Sequence, residues 1–320
     1  ASLAHDLGNP PFGHAGEAAI GDFFSHHQRG QSFQEKVNPA EWSDLTKFEG
    51  NAQGFRILTR NQYGLKLTYA TLGAFTKYPC PALFPTRDTT KRSQKKFGFF
   101  QTVKDIFREV VAQLELTTVS DFVSGRHPLA FLVEAADDIC YSIIDLEDGC
   151  NLGLVSYAEA KELFEGVLTK NETKLGKLEL LTSKQEKIGY LRALAIGDLM
   201  DECSTLFLDE EAAILSGSFD QALADHCPSK SSLKEIISVS IKRIYQARQV
   251  VEIEAAGHEV LPGLLEEFAT AGEYLMQGKK SRKYQNLQHL LPEGTVKPIQ
   301  EQASNTYAML REILDFISGL

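Results

Sequence analysis

Apolar positions along the chain recur at helical spacing over most of its 320 residues. "GHAGEAAIGDFFSHH", residues 13–27, follows Pro10-Pro11 and puts Ala18, Ile20, Phe23 and Phe24 on one side. "KFEGNAQGFRILTRN", residues 47–61, does the same with Phe48, Phe55, Ile57 and Leu58. "LKLTYATLGAFTKYP", residues 65–79, stops at Pro79, as helices do beside proline. "FFQTVKDIFREVVAQLEL" and "PLAFLVEAADDICYSIIDLEDG" carry the clearest periodicity, the latter running from Pro128 to Gly149. Beyond Ser156 the pattern stays helical through "YAEAKELFEGVL", "IGYLRALAIGDLMDECSTLF", a continuous stretch over 232–276 and "YAMLREILDFI". Strand signals are few and no repeat or low-complexity segment occurs, so an all-α fold is expected.

Composition narrows the class. With 43% hydrophobic and 24% charged residues the chain can bury a large core, which excludes disordered and fibrous classes. A net charge of -10 argues against a nucleic-acid scaffold but leaves room for a phosphate ligand met by local cations. Such cations cluster between Tyr78 and Lys96, where Pro79, Pro81 and Pro85 precede Arg87, Lys91, Arg92, Lys95 and Lys96, opposed only by Asp88. Five cysteines, odd in number and never in a C-x-x-C pair, point to a reducing compartment without disulfides or a thiolate zinc site. No apolar run approaches the ~18 residues of a membrane helix, and no signal peptide is visible, so a cytoplasmic protein is expected. The chain opens "ASLAHD", without Met, on what reads as the middle of an apolar helix, and an N-terminal portion is expected to be missing.

Three constellations could carry chemistry. His5 and Asp6 offer an imidazole nitrogen and a carboxylate that can converge on a metal at a helix end or turn. The pair alone does not choose the ion, and taken in isolation it is better explained by a capping Asp beside a surface His. His14 and Glu17, three residues apart, share a helix face and would make an oriented acid/base; a first-turn Glu favoured by the helix dipole is the alternative. Asp137, Tyr141 and Asp145 recur at i, i+4 and i+8, flanked by Ala136, Ile139, Cys140, Ile143 and Ile144. That stripe is expected to be shielded from bulk water, and buried carboxylates require a compensating cation or donor. Glu134, Asp138, Glu147 and Asp148 are expected on the solvated face.

Taken together, "HDLGNPPFGHAGE", "FEGNAQGFRILTR", "LTYATLGAFTKYP", "KKFGFF" and "EAADDICYSIIDLEDG" resemble the bacterial deoxyguanosine triphosphate triphosphohydrolases, members of the HD-domain superfamily of metal-dependent phosphohydrolases. The similarity covers residues 1–150 in order, and "VVEIEAAGHEVLPGLLEEF" extends it. The resemblance implies an HD-domain helical core over 1–155, with a C-terminal helical region over 156–320 continuous with it. It implies His5, Asp6 and Asp137 as ligands of a divalent metal, Mn²⁺ or Mg²⁺ first, with Fe²⁺, Ni²⁺ and Zn²⁺ open. The family's first metal His lies upstream of the doublet, where this chain has no position. His14 and Glu17 match the family's catalytic pair, and Tyr141 and Asp145 match residues that pack on the deoxyribose and bind its 3′-hydroxyl. Asn9, Asn51, Lys77 and Lys96 match groups that hold the triphosphate, and Tyr245 and Glu254 fall where the family approaches sugar and base.

The reaction so implied is attack at the α-phosphorus of dGTP or another deoxynucleoside triphosphate, leaving deoxynucleoside and tripolyphosphate. A homo-oligomer is the expected assembly, with no membrane partner. Two other readings stand beside it: an HD phosphohydrolase acting on another nucleotide, and a non-catalytic deoxynucleotide-binding regulator. Retention of both His14 and Glu17 weighs against the last.

Overall fold

The computed structural model describes residues 1–60, 64, 66–120, 122–168, 175–302 and 304–320. Asn61 and Leu65, outer residues of two stretches read as helical, lie outside the described residues. The principal helices are α1 (Gly13–His26), α2 (Pro39–Thr46), α3 (Gly50–Thr59), α4 (Tyr69–Phe75), α5 (Lys104–Gln113), α6 (Pro128–Asn151), α7 (Tyr157–Val167), α8 (Lys184–Asp209), α9 (Lys230–Ser240), α10 (Arg248–Met276) and α11 (Thr306–Ser318). The fold is all-α, as the periodicity predicts. A single small hairpin, β1 (Thr118–Ser120) with β2 (Val123–Ser124), interrupts it among the described residues; strands this short show no alternation to read. Among the described residues, no helix is long and apolar enough to cross a membrane.

The chain divides into two compact units, one of residues 1, 3–126 and 253–320, the other of residues 2 and 127–252. The divisions fall beside Arg126 and Glu252, not at 155/156, because α6 packs with α8 and α9 while α10 and α11 return to the N-terminal helices.

In the first unit, Phe23 and Phe24 of α1 and Leu45 of α2 meet Leu265 and Phe268 of α10 and Ile313 of α11 in one apolar cluster. Of the α1 residues read as apolar, Ala18 is exposed and Ala19 is buried in its place. A second cluster joins Phe55, Phe75, Phe99 and Phe107, with the last two rings stacked at 4.1 Å. Polar groups also cross this core. Arg56 on α3 donates to Asp315 (2.8 Å) and Glu312 (2.8 Å) on α11, Gln53 donates to Asp315 at 2.8 Å, and Arg60 reaches both acids. These guanidinium groups outweigh burial and hold the Asp315 carboxyl below its usual range. Helix α2 starts on a capping box, with Asn38 accepting from Ala40 and Glu41 and Pro39 in the first turn.

Two expectations are corrected. "ASLAHD", read as part of a helix, holds one 3₁₀ turn at Ser2–Ala4 and a further turn over residues 5–8, and Gly8 (φ 103°) with the Pro pair ends the helical course there. The stretch over 232–276 is not continuous. A π turn at Ile241–Tyr245 separates α9 from α10, which then runs through Pro262.

In the second unit, Phe131, Ile139, Ile143 and Leu146 of α6 pack with Phe164 of α7, Leu191 and Leu199 of α8 and Ile236 of α9. Ser156 and Ser183 cap α7 and α8, and His127 caps α6 ahead of Pro128.

Candidate active site

The doublet sits on the turn that Gly8 allows. At Gly8 a Cβ would stand 2.2 Å from the Gly54 amide nitrogen and 2.4 Å from the Gly50 carbonyl oxygen, so only glycine lets this turn lie on α3. His5 Nε2 and Asp6 Oδ2 face each other at 3.4 Å, and Asn9 donates its amide to the other oxygen, Asp6 Oδ1, at 3.0 Å. Two donors bound to one ion at about 2.0–2.1 Å are separated by about 3.3–3.4 Å in tetrahedral and about 2.8–3.0 Å in octahedral geometry. The pair therefore fits as an N,O donor set for a divalent cation, with Asn9 orienting the carboxylate. Among the described residues, no group of three or more His, Cys, Asp or Glu side chains is assembled to hold one.

After Pro10-Pro11, Phe12 takes a left-handed conformation (φ 69°) and α1 begins. His14 and Glu17 then meet across one turn, His14 Nδ1 to Glu17 Oε2 at 2.8 Å. The second oxygen, Oε1, accepts the Gly50 N–H at 2.6 Å. Lys96 Nζ lies 3.7 Å from Glu17 and 3.1 Å from Glu49, whose carboxylate also accepts from the Asn51 amide at 2.7 Å. His14, Glu17, Lys96, Glu49 and Asn51 thus form one chain of polar contacts. The hydrogen bond with Glu17 raises the His14 imidazole above its ordinary value. Burial opposes ionisation of Glu17, yet His14, Lys96 and the Gly50 N–H together keep it below the usual carboxylate range.

His14, Glu17, Lys96 and Glu49 line an open cavity of about 400 Å³, whose other charged walls are Asp22, Lys47, Arg87 and Lys95. Four cations against three carboxylates make it locally basic in an acidic chain. Arg87 spends its guanidinium on the carbonyls of Pro81 (2.7 Å) and Lys96 (2.9 Å), so it fastens the proline-rich loop that presents Lys96. Lys77 is buried and stands outside the lining of this cavity. Lys47 and Glu49 went unread in the sequence; Glu49 lies within "FEGN", but nothing in its spacing marks it as the partner of a lysine 47 residues away.

Gly50 is packed against the site's own side chains. A Cβ there would stand 2.2 Å from Asn9 Oδ1 and 2.9 Å from Glu17 Oε1. Gly50→Ala is therefore expected to displace both side chains, lowering kcat at least tenfold while the far-ultraviolet circular dichroism keeps its helical form. A variant with parental kcat would show that the Glu17 position is not essential.

In the second unit α6 departs from the expectation in part, since Asp148 is exposed as expected and Asp138 is half-buried. Glu134 and Glu147 are buried, Glu147 paired with Arg192 at 2.7 Å. Tyr141, Ala136, Cys140 and Ile144 are exposed, and Asp137 and Asp145 are half-buried. The apolar neighbours Ile139 and Ile143 point into the unit's core, and i, i+4, i+8 spacing then turns the Asp137 stripe outward. The π turn brings Tyr245 onto this stripe: its ring stacks on Tyr141 with centroids 5.6 Å apart, and its hydroxyl donates to Asp145 at 2.5 Å. Burial raises the Asp145 carboxyl, although the Tyr245 bond opposes this. Glu254 stands exposed on α10.

No family model matches the chain. Among curated proteins it is 41% identical over 332 residues to the deoxyguanosinetriphosphate triphosphohydrolase-like protein of Synechocystis sp., covering 100% of the chain and 73% of that protein. The chain belongs to the deoxyguanosinetriphosphate triphosphohydrolase-like family. The protein of that name from Pseudomonas aeruginosa is 34% identical with the same coverage. The deoxyguanosinetriphosphate triphosphohydrolase of Yersinia pseudotuberculosis is 29% identical over 384 residues, covering 100% of the chain and 75% of that protein. The family likeness read from residues 1–150 therefore spans the whole chain, as does membership of a family of hydrolases.

Proposed function

We propose that this hydrolase splits deoxynucleoside triphosphates, dGTP first, at the α-phosphate to give the deoxynucleoside and tripolyphosphate. The observation that carries the reading is the His14–Glu17 pair, 2.8 Å apart, on the wall of a locally basic cavity beside Lys96. Lys96, with Lys47 and Lys95, offers cations to the polyphosphate, and Asn9, Asn51 and Lys77 are the further triphosphate groups of the reading. His5, Asp6 and Asp137 are the proposed holders of a divalent cation, Mn²⁺ or Mg²⁺, which when bound polarises phosphoryl oxygens and acidifies water.

The chain's own residues do the rest. Glu17 binds His14 Nδ1, fixes the ring and favours its protonated form, so that Nε2 can deliver a proton to the departing 5′-oxygen. On α6, Tyr141 and Asp145, with Tyr245, read the sugar: the carboxylate accepts from a 3′-hydroxyl and the stacked rings fill the space beside C2′. Glu254 is kept as a base-side residue.

The test is chromatography of the products from deoxy, 2′,3′-dideoxy and ribonucleoside triphosphates with Mn²⁺ or Mg²⁺. Tripolyphosphate is the expected phosphate product; orthophosphate would point to a different nucleotide phosphohydrolase, and binding without turnover to a regulator. Asp145→Ala should cut kcat/KM for deoxy substrates by about tenfold or more, equivalent to one charged hydrogen bond of about 1.5–3 kcal/mol, with little effect on dideoxy analogues. Equal losses on both would remove the sugar-reading role.

A further inference from the structure

Glu49 is the buried acid of the cavity that the reaction just described does not use. It is 5% exposed and caps α3, its side chain accepting from Asn51. It faces charge from three directions: Glu17 and His14 on α1, Lys96 with Lys95 and Arg87 on the proline-rich loop, and Lys47 two residues before it. Lys96 is pinned between two carboxylates, 3.1 Å from Glu49 and 3.7 Å from Glu17.

An incoming polyphosphate would draw Lys96 away from both acids, and they are not equally provided for. Glu17 would keep the His14 ring at 2.8 Å and the Gly50 N–H at 2.6 Å. Among the described residues, Glu49 would keep the neutral N–H donors of Asn51. A carboxylate so buried, with a like charge beside it, is relieved by taking a proton.

We propose that Glu49 is a positioning residue that holds Lys96 against Glu17 in the free protein and releases it to a polyphosphate by taking up one proton. The proposal rests on the reading of this cavity as a triphosphate site. Burial, with the charge of Glu17 next, already pushes the Glu49 carboxyl above its ordinary value while Lys96 is still in place, so the carboxyl is poised for that proton.

The experiment is calorimetric titration of the full chain with inorganic tripolyphosphate in buffers of different ionisation enthalpy, which counts protons exchanged. The parent should take up close to one proton more than Glu49→Gln, and its affinity should rise by up to about tenfold per pH unit as pH falls. Glu49→Gln, which retains a capping oxygen, should bind more tightly than the parent at pH 8. Lys96→Ala should also lack the extra proton, because its Glu49 is already without a cationic partner; this comparison stands even if Glu49→Gln fails to fold. Equal proton counts in the parent and both variants, with tripolyphosphate still bound, would overturn the role of Glu49 and leave the triphosphate reading intact. Failure of the parent to bind tripolyphosphate would overturn that reading, and the role of Glu49 with it.

Discussion

His14→Ala is expected to lower kcat by about 10²–10⁴-fold, the usual worth of a positioned acid/base, while tripolyphosphate binding changes little. The reason is geometric: His14 lines the cavity and is oriented by Glu17, whereas Lys96 and its neighbours supply the cations. Glu17→Gln adds a pH test. The Glu17 hydrogen bond is the largest cause raising the His14 pKa, so the alkaline limb of the parent's kcat profile should lie above that of an ordinary imidazole. Removing the carboxylate removes the elevation, and the limb should move to lower pH. A kcat profile whose alkaline limb stays in place in Glu17→Gln would assign that limb to another group.

Asp315→Ala is expected to cost about 3–5 kcal/mol of folding stability, the typical penalty for breaking a buried ion pair from one side. Asp315 accepts from Gln53 and Arg56 at 2.8 Å each and from Arg60, all on α3 or its C-terminal end. Without it, Arg56 and Arg60 would keep Glu312 between them, and the Gln53 amide would lose the acceptor Asp315. Urea unfolding of the parent and the variant measures the difference directly. A loss below about 1 kcal/mol would place the network in the class of solvent-relieved surface pairs. The effect should reach the active site, since α3 begins at Gly50 and carries Asn51.

The sequence was most legible where chemistry is local. Period-3.6 patterning placed α6 at Pro128 and located α1, α7, α8 and α11, because burying one apolar stripe is a property of the helix itself. The same locality made His14 and Glu17 readable: residues three apart on a helix are neighbours whatever the rest of the fold does. The doublet was legible as a donor pair for a similar reason.

The tertiary structure alone decided which face of α6 is buried, since the apolar and acidic positions there overlap and only packing against α8 and α9 selects Glu134 and Glu147 for the interior. It alone broke the 232–276 stretch at a π turn, which sets Tyr245 on Asp145 across 100 residues of chain. It alone joined Glu49 to Lys96, and α3 to Asp315 more than 250 residues away. Such pairings carry no spacing in sequence, because they are made by chain closure and burial, and a charge shows its partner only once both have left water.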